Sequence, residues 1–254
     1  MALFMSKLAE RIRRASRTEP APLGFAAAAA RPKAPTLLTI VRLSSNEANK
    51  VPEAVSNGAD IVLMEGIDAS KVSDTAGKAG EALLGVQPDK VDRQRIAALR
   101  DAGADFVVLD SDSAPAEALL EEKVGFVLSL EAEPEDTTLR VLGELGLEAL
   151  IVPAPASPFT VRQLLSLRRL SALAHTPLLT EVKHDAEASY LQALRDSGVA
   201  GVIVDSGAIG RLGNLRERIA ALPARGRRRE ERADAVLPAG VGAASHDHED
   251  DDDE

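Results

Sequence analysis

The chain of 254 residues carries 30 Lys plus Arg against 40 Asp plus Glu, for a net charge of -10, with 45% apolar residues, 2% aromatics and no cysteine. Disulfides, thiolate metal sites and cysteine nucleophiles are excluded, and an acidic chain short of aromatic platforms is not built to hold nucleic acid. No run approaches the roughly 18 apolar residues that a membrane span needs.

Residues 1–17 read as an amphipathic basic helix. Leu3, Phe4, Leu8 and Ile12 recur on one face, and Lys7, Arg11, Arg14 and Arg17 flank them. Three uses fit this pattern: closing the end of a barrel, docking a protein partner, or lying on an anionic membrane surface. The segment lacks the apolar core of a secretory signal. The expected location is the cytoplasm, with any membrane contact peripheral. An Ala/Pro linker over 18–35 follows, too poor in large apolar groups to offset the entropy of ordering.

From 36 to 222, apolar runs alternate with helical patterns. Runs at 37–42, 82–87, 124–131 and 177–183 interleave with four segments of one shared design: SNGADIVLMEG, DAGADFVVLDS, ELGLEALIVPA and DSGVAGVIVDS. In each, a helix ends at a glycine (Gly58, Gly103, Gly146, Gly198) and an apolar strand follows, as a left-handed cap before a doubly buried strand requires. Helical spacing fills 91–102, 139–145, 161–173, 186–195 and 214–222.

Eight strands alternating strictly with eight helices imply parallel strands and right-handed crossovers. Eight such units close most naturally into a (β/α)8 barrel. The rival is an open doubly wound sheet. That fold would place a Gly-rich turn after the first strand, where Leu43-Ser44-Ser45-Asn46 stands instead. The barrel segment is shorter than the roughly 200–400 residues usual for the fold, so its loops must be short. The longest is expected at 206–213, and no long lid is present.

Residues 223–254 are expected to form a disordered tail, basic over 225–232 and acidic over 247–254. His246 and His248 lie among its carboxylates, but nothing pre-organises them for a metal. A solubilising acidic tail is the plainer reading.

Function in a barrel collects at the carboxyl ends of the strands. Those ends read Arg42, Glu65, Gln87, Asp110, Glu131, Glu181 with Lys183, and Asp205. Alternation puts Leu63 with Glu65, Val108 with Asp110, Ser129 with Glu131, and Ile203 with Asp205 on shared faces. If that face is the interior, a polar ring surrounds the mouth. Glu65, Asp110, Glu131 and Asp205 are the candidate ligands for a divalent ion, Mg²⁺ or Mn²⁺. Glu65, Asp110, Glu131, Glu181 and Lys183 are the candidate catalytic groups, since crowded carboxylates shift one another's pKa toward acid–base work. Arg42 and Gln87 are placed to hold a substrate carboxylate or carbonyl. The plain alternative is that strand ends are polar because they meet water. Lys183 as an imine-forming amine is weaker than Lys183 as an ion-paired or solvated residue.

The segment GVAGVIVDSGAIGRLGNL, residues 198–215, resembles the end of phosphate-binding TIM barrels. The preceding LLTEVKHDAEASYLQALRDSGVAG is similar to the tryptophan-pathway barrel type over about 25 residues. The resemblance implies a TIM-like barrel with an anion cradle at the last strand, with Ser206 and Gly207 as substrate-binding residues within 206–210. Two departures stand out. Asp205 occupies the usual glycine position, and Thr180-Glu181-Val182 lacks paired glycines.

Two functional readings follow. One is a metal-assisted lyase or aldolase-type enzyme acting on a small anionic substrate. The other is a non-catalytic barrel used as a binding or scaffold module, tethered to a protein or membrane surface through residues 1–17.

Overall fold

The computed structural model describes residues 6–16 and 36–223. Leu3, Phe4, the linker expected over 18–35 and residues 224–254 of the expected tail lie outside the described residues. Eight strands run β1 (Leu38–Ser44), β2 (Ile61–Glu65), β3 (Leu83–Gln87), β4 (Phe106–Leu109), β5 (Gly125–Ser129), β6 (Ala149–Val152), β7 (Leu178–Glu181) and β8 (Val199–Asp205). Each pairs in parallel with its sequence neighbour, and β8 returns to β1 to close the barrel. The doubly wound alternative is thereby removed, and the fold is a TIM barrel.

The helices are α1 (Lys7–Ser16), α2 (Val51–Ser56), α3 (Ala69–Ala79), α4 (Arg93–Asp101), α5 (Asp136–Glu144), α6 (Val161–Ala174), α7 (Ala188–Asp196) and α8 (Leu212–Ala220). The count of eight includes α1. Strict alternation fails between β4 and β5, where a 3-10 turn over Ala116–Leu120 replaces a helix. Pro115 stands at the start of that turn, and Lys123 takes a positive φ of 69° to end it. The expected loop at 206–213 is likewise a 3-10 turn, Ser206–Arg211, running into α8.

The repeated glycine has the conformation that its position demands. Gly58, Gly103, Gly146 and Gly198 take φ values of 97°, 103°, 71° and 104°. Each follows a right-handed helix end, where a β-carbon would be strained. The acidic residue two places later also has a role. Asp60 Oδ2 accepts from Thr39 N at 2.9 Å and from Thr39 Oγ1 at 2.8 Å. Asp105 Oδ2 accepts from Leu84 N at 2.9 Å. In both repeats a carboxylate satisfies a backbone donor at the start of the preceding strand.

Two apolar layers result from strand alternation. Val41, Leu43, Val62, Met64, Val86 and Val204 pack outward against the helices. Leu38, Ile40, Ile61, Leu63, Phe106, Val108, Ile151, Leu179 and Ile203 fill the interior. The Phe106 ring lies over Gly85, where any side chain would collide with it.

The interior cluster also contains Leu8, Ile12 and Ala15 of α1, all buried. Lys7 Nζ pairs with Asp105 at 2.7 Å, and Arg11 donates to the Glu81 carbonyl at 2.9 Å. Asp105 and Glu81 precede β4 and β3, so α1 closes the amino-terminal end of the barrel. Of the three uses that its sequence fits, the structure shows closure. Leu8 and Ile12, the described part of that apolar face, are buried here. No helix among the described residues is long and apolar enough to cross a membrane.

Candidate functional site

The interior parity expected from sequence holds. Leu63, Val108 and Ile203 are interior residues. Two positions further along their strands, Glu65 and Asp205 stand at the mouth on the same face, while Asp110 lies just past the end of β4. Register places Arg42 beside Asp205 and Glu65 beside Gln87.

Arg42 is the centre of one half of this rim. Its Nε lies 3.0 Å from Glu65 Oε1, and its Nη1 bonds to Glu181 Oε1. The Arg42 side chain is 20% exposed, against 41% and 50% for those of Glu65 and Glu181. Nε itself is buried and its approach to Glu65 is not aligned as a hydrogen bond. Arg42 therefore bridges β2 and β7 across β1 and β8. It faces two internal carboxylates, which already fill the role foreseen for a substrate anion.

The larger cavity lies beside that bridge, over the ends of β6, β7 and β8. It measures about 950 Å³. Ile203 and Val204 form its apolar wall with Ala154 and Ala208, and Glu181, Lys183, His184, Asp205 and Tyr190 supply polar groups. The cavity collects Glu181, Lys183, Asp205 and Gly207 from the residues singled out by sequence. Gln87, Asp110 and Glu131 do not line it; they belong to β3 and to the turns after β4 and β5, with Asp110 and Glu131 exposed. Among the described residues no group of three or more His, Asp or Glu is arranged to hold a metal ion. Glu65, Asp110, Glu131 and Asp205 come from four different strands.

The cavity walls are braced. Arg218 donates to the carbonyls of His184 at 2.9 Å and Ala186 at 2.8 Å, fixing the β7–α7 turn. Arg211 Nη1 lies 2.5 Å from His184 Nε2. A guanidinium only donates, so in this contact the ring nitrogen is the acceptor. On the β6 side, Phe159 meets Tyr190 edge-to-face with centroids 5.4 Å apart. Burial pushes the Tyr190 phenol above its ordinary 10.0.

The expected anion cradle is partly occupied from within. The Ser206 hydroxyl donates to Glu47 Oε1 at 2.7 Å. Gly207 has open space where a β-carbon would stand. Lys183 is exposed, so it lacks the desolvation that activates an imine-forming amine.

Sequence reasoning did not single out Glu47, Arg211 or Tyr190. Ser44-x-x-Glu47 carries a capping-box spacing that was available as a signal for Glu47. Tyr190 is the chain's single tyrosine. Arg211 had no local signal, because its partner lies in another turn.

No protein-family model and no curated protein matches the chain. Solved structures do match it. Thiamine phosphate pyrophosphorylase from Pyrococcus furiosus superposes with a TM-score of 0.53 at 16% identity, over 73% of this chain and 96% of that one. A mutant tryptophan synthase alpha-subunit from the same organism gives 0.56 at 13% identity, over 73% and 97%. A protein from Aquifex aeolicus VF5 gives 0.59 at 12% identity, over 85% and 98%. At such identities the likeness establishes the barrel and carries no activity with it.

Proposed function

We propose that this protein binds a small polar molecule in the β6–β8 cavity and carries out lyase-type proton transfer on it. The observation that carries the reading is the cavity itself. It stands at the carboxyl ends of three adjacent strands, with an apolar wall and convergent polar groups, which is where barrels of this kind hold ligands. Asp205 takes and returns the proton in this account, while Glu181 stays paired with Arg42 at the cavity edge. Lys183 meets the anionic part of the ligand, and the His184 ring, held by Arg211, is positioned beside it. The solved structures of similar fold include proteins named as a pyrophosphorylase and a synthase subunit, which supports an enzymatic reading of the class. Because the rim carboxylates do not converge, no step is routed through a metal; Mg²⁺ and Mn²⁺ enter as arms of the test.

A non-catalytic binding module is the second reading. The observation favouring it is that Arg42 and Ser206 are engaged by the chain's own carboxylates.

Thermal melting against a panel of small carboxylic acids, amines, sugar phosphates, Mg²⁺ and Mn²⁺ separates these readings, because a ligand of the native state raises the transition by mass action. The proposal expects a shift for an organic ligand that Asp205→Asn and Lys183→Ala abolish, followed by turnover of that ligand. A shift without turnover supports the binding module. No shift from any organic compound, or a shift untouched by both substitutions, contradicts the cavity assignment.

A further inference from the structure

One carboxylate at the barrel mouth is held by donors from the turns after both the first and the last strand. Glu47 lies in the 3-10 turn after β1, Ser45–Lys50. Its Oε1 accepts from Lys50 Nζ at 2.8 Å and from Ser206 Oγ at 2.7 Å. Its Oε2 accepts from the Ser44 hydroxyl at 3.0 Å and from the Ser44 N–H at 3.2 Å. The Ser44 contacts alone form a capping box, in which the third residue of the turn reaches back to the cap. Capping does not account for the other two donors. Ser206 is 159 residues away in sequence and follows β8.

Two hydroxyls, one N–H and one ammonium converging on two oxygens make a donor set of the kind that binds a free oxyanion, with charge assistance from the lysine. Here the oxyanion is part of the chain. Lys50 first, then Ser206 and the Ser44 backbone, hold the Glu47 carboxyl down to about 2 from the ordinary 4.5.

We propose that Ser44, Lys50 and Ser206 form an oxyanion site at the β1–β8 seam, that Glu47 fills it from within, and that removing the Glu47 side chain opens it to a free phosphate or carboxylate ion. Filled this way, the site ties the turns after the first and last strands together. An external oxyanion reaches these donors only by displacing Glu47, so Glu47 acts as a competing internal ligand. This inference is independent of the β6–β8 cavity assignment, since none of its three donor residues lines that cavity.

The test is thermal melting of the full chain in phosphate or acetate, with NaCl matched for ionic strength. Wild type should respond to phosphate no more than to NaCl. Glu47→Ala should gain a dose-dependent rise, about 2–4 °C once phosphate exceeds its dissociation constant by about fivefold. Glu47→Gln, which refills the space with a neutral amide, should not gain it, and adding Ser206→Ala to Glu47→Ala should remove it. If Glu47→Ala folds only when phosphate or acetate is present, that rescue is the same result. A Glu47→Ala response equal to wild type overturns the proposal. So does a gain shared by Glu47→Gln, or one that survives Ser206→Ala. A second measurement needs no loss of Glu47. In Ser206→Ala, the Glu47 carboxyl followed by NMR should titrate higher than in wild type, and an unchanged midpoint contradicts the site.

Discussion

At the residue scale, the informative side chains are charged groups whose partners come from other strands. Asp60 is buried and receives both the backbone N–H and the hydroxyl of Thr39. Asp60→Ala leaves two donors at the start of β1 without that acceptor. It should lower stability by about 1–3 kcal/mol in urea denaturation, whereas a loss below the error of the measurement would show that water replaces the carboxylate. Arg42→Ala leaves Glu65 and Glu181 unneutralised at the mouth. Because both carboxylates are well exposed, the expected loss is about 1–2 kcal/mol, less than for a fully buried pair, and should shrink in high salt.

Such pairings were the least legible part of the sequence. The polar character of Arg42, Glu65, Glu181 and Asp205 was readable because each interrupts an apolar run. Their partners were not readable. Local spacing says nothing about which rim residue leans toward which, and Arg42 and Glu181 are 139 residues apart. Glu47 was overlooked for the same reason: its cap spacing is local, but its bond to Ser206 is not.

At the element scale, α1 is an integral part of the core. Leu8 and Ile12 are buried among interior residues of the barrel. Leu8→Ala or Ile12→Ala should each cost about 2–5 kcal/mol, as for other large-to-small core changes. An unchanged urea midpoint would mean that the helix leaves the barrel in solution. The elements themselves were largely legible, because glycine caps and doubly buried strands recur with period-like regularity. The β4–β5 crossover was the exception. Its sequence contains Ala, Leu and Glu suited to a helix, but between Pro115 and the turn at Lys123 it forms a single 3-10 turn.

The same end of the barrel holds a group of opposite electrostatic sense. Glu148 occupies the third repeat where Asp60 and Asp105 stand in the first two, and its Oε2 is buried without a hydrogen-bond partner among the described residues. Burial pushes its carboxyl above the ordinary 4.5, partly opposed by a hydrogen bond from Ser6 of the segment leading into α1. A raised carboxyl pKa means that the folded state favours the protonated form. Its contribution is intact below about pH 4.5 and is lost as pH rises above that value. Glu148→Gln should therefore be more stable than wild type at neutral pH, with the advantage fading below that value. A pH-independent difference would assign the effect to packing.

At the scale of the whole molecule, the barrel divides its ends by role. The amino-terminal end is sealed by α1 and its pairs with Glu81 and Asp105, and the carboxyl-terminal end carries the polar rim and the β6–β8 cavity. The end of the barrel at which the candidate cavity lies was legible from the fold class alone, since barrels concentrate ligand groups at that end. Which third of the rim opens into a cavity was not, because that depends on how the turns after β6, β7 and β8 stand apart. The net charge of -10 likewise became interpretable only when its carboxylates were divided into those holding backbone, those holding Arg42 and those facing the cavity.

The most direct measurement of the central claim is NMR mapping of ligand contacts on the wild-type chain, using pools of small polar metabolites. The account predicts that at least one compound perturbs the amides of Ala156, Lys183, His184 and Gly207 together, leaving those of α3 and α4 unchanged. Compounds that bind only elsewhere, or a full set of pools that perturbs none of these four residues, would contradict it.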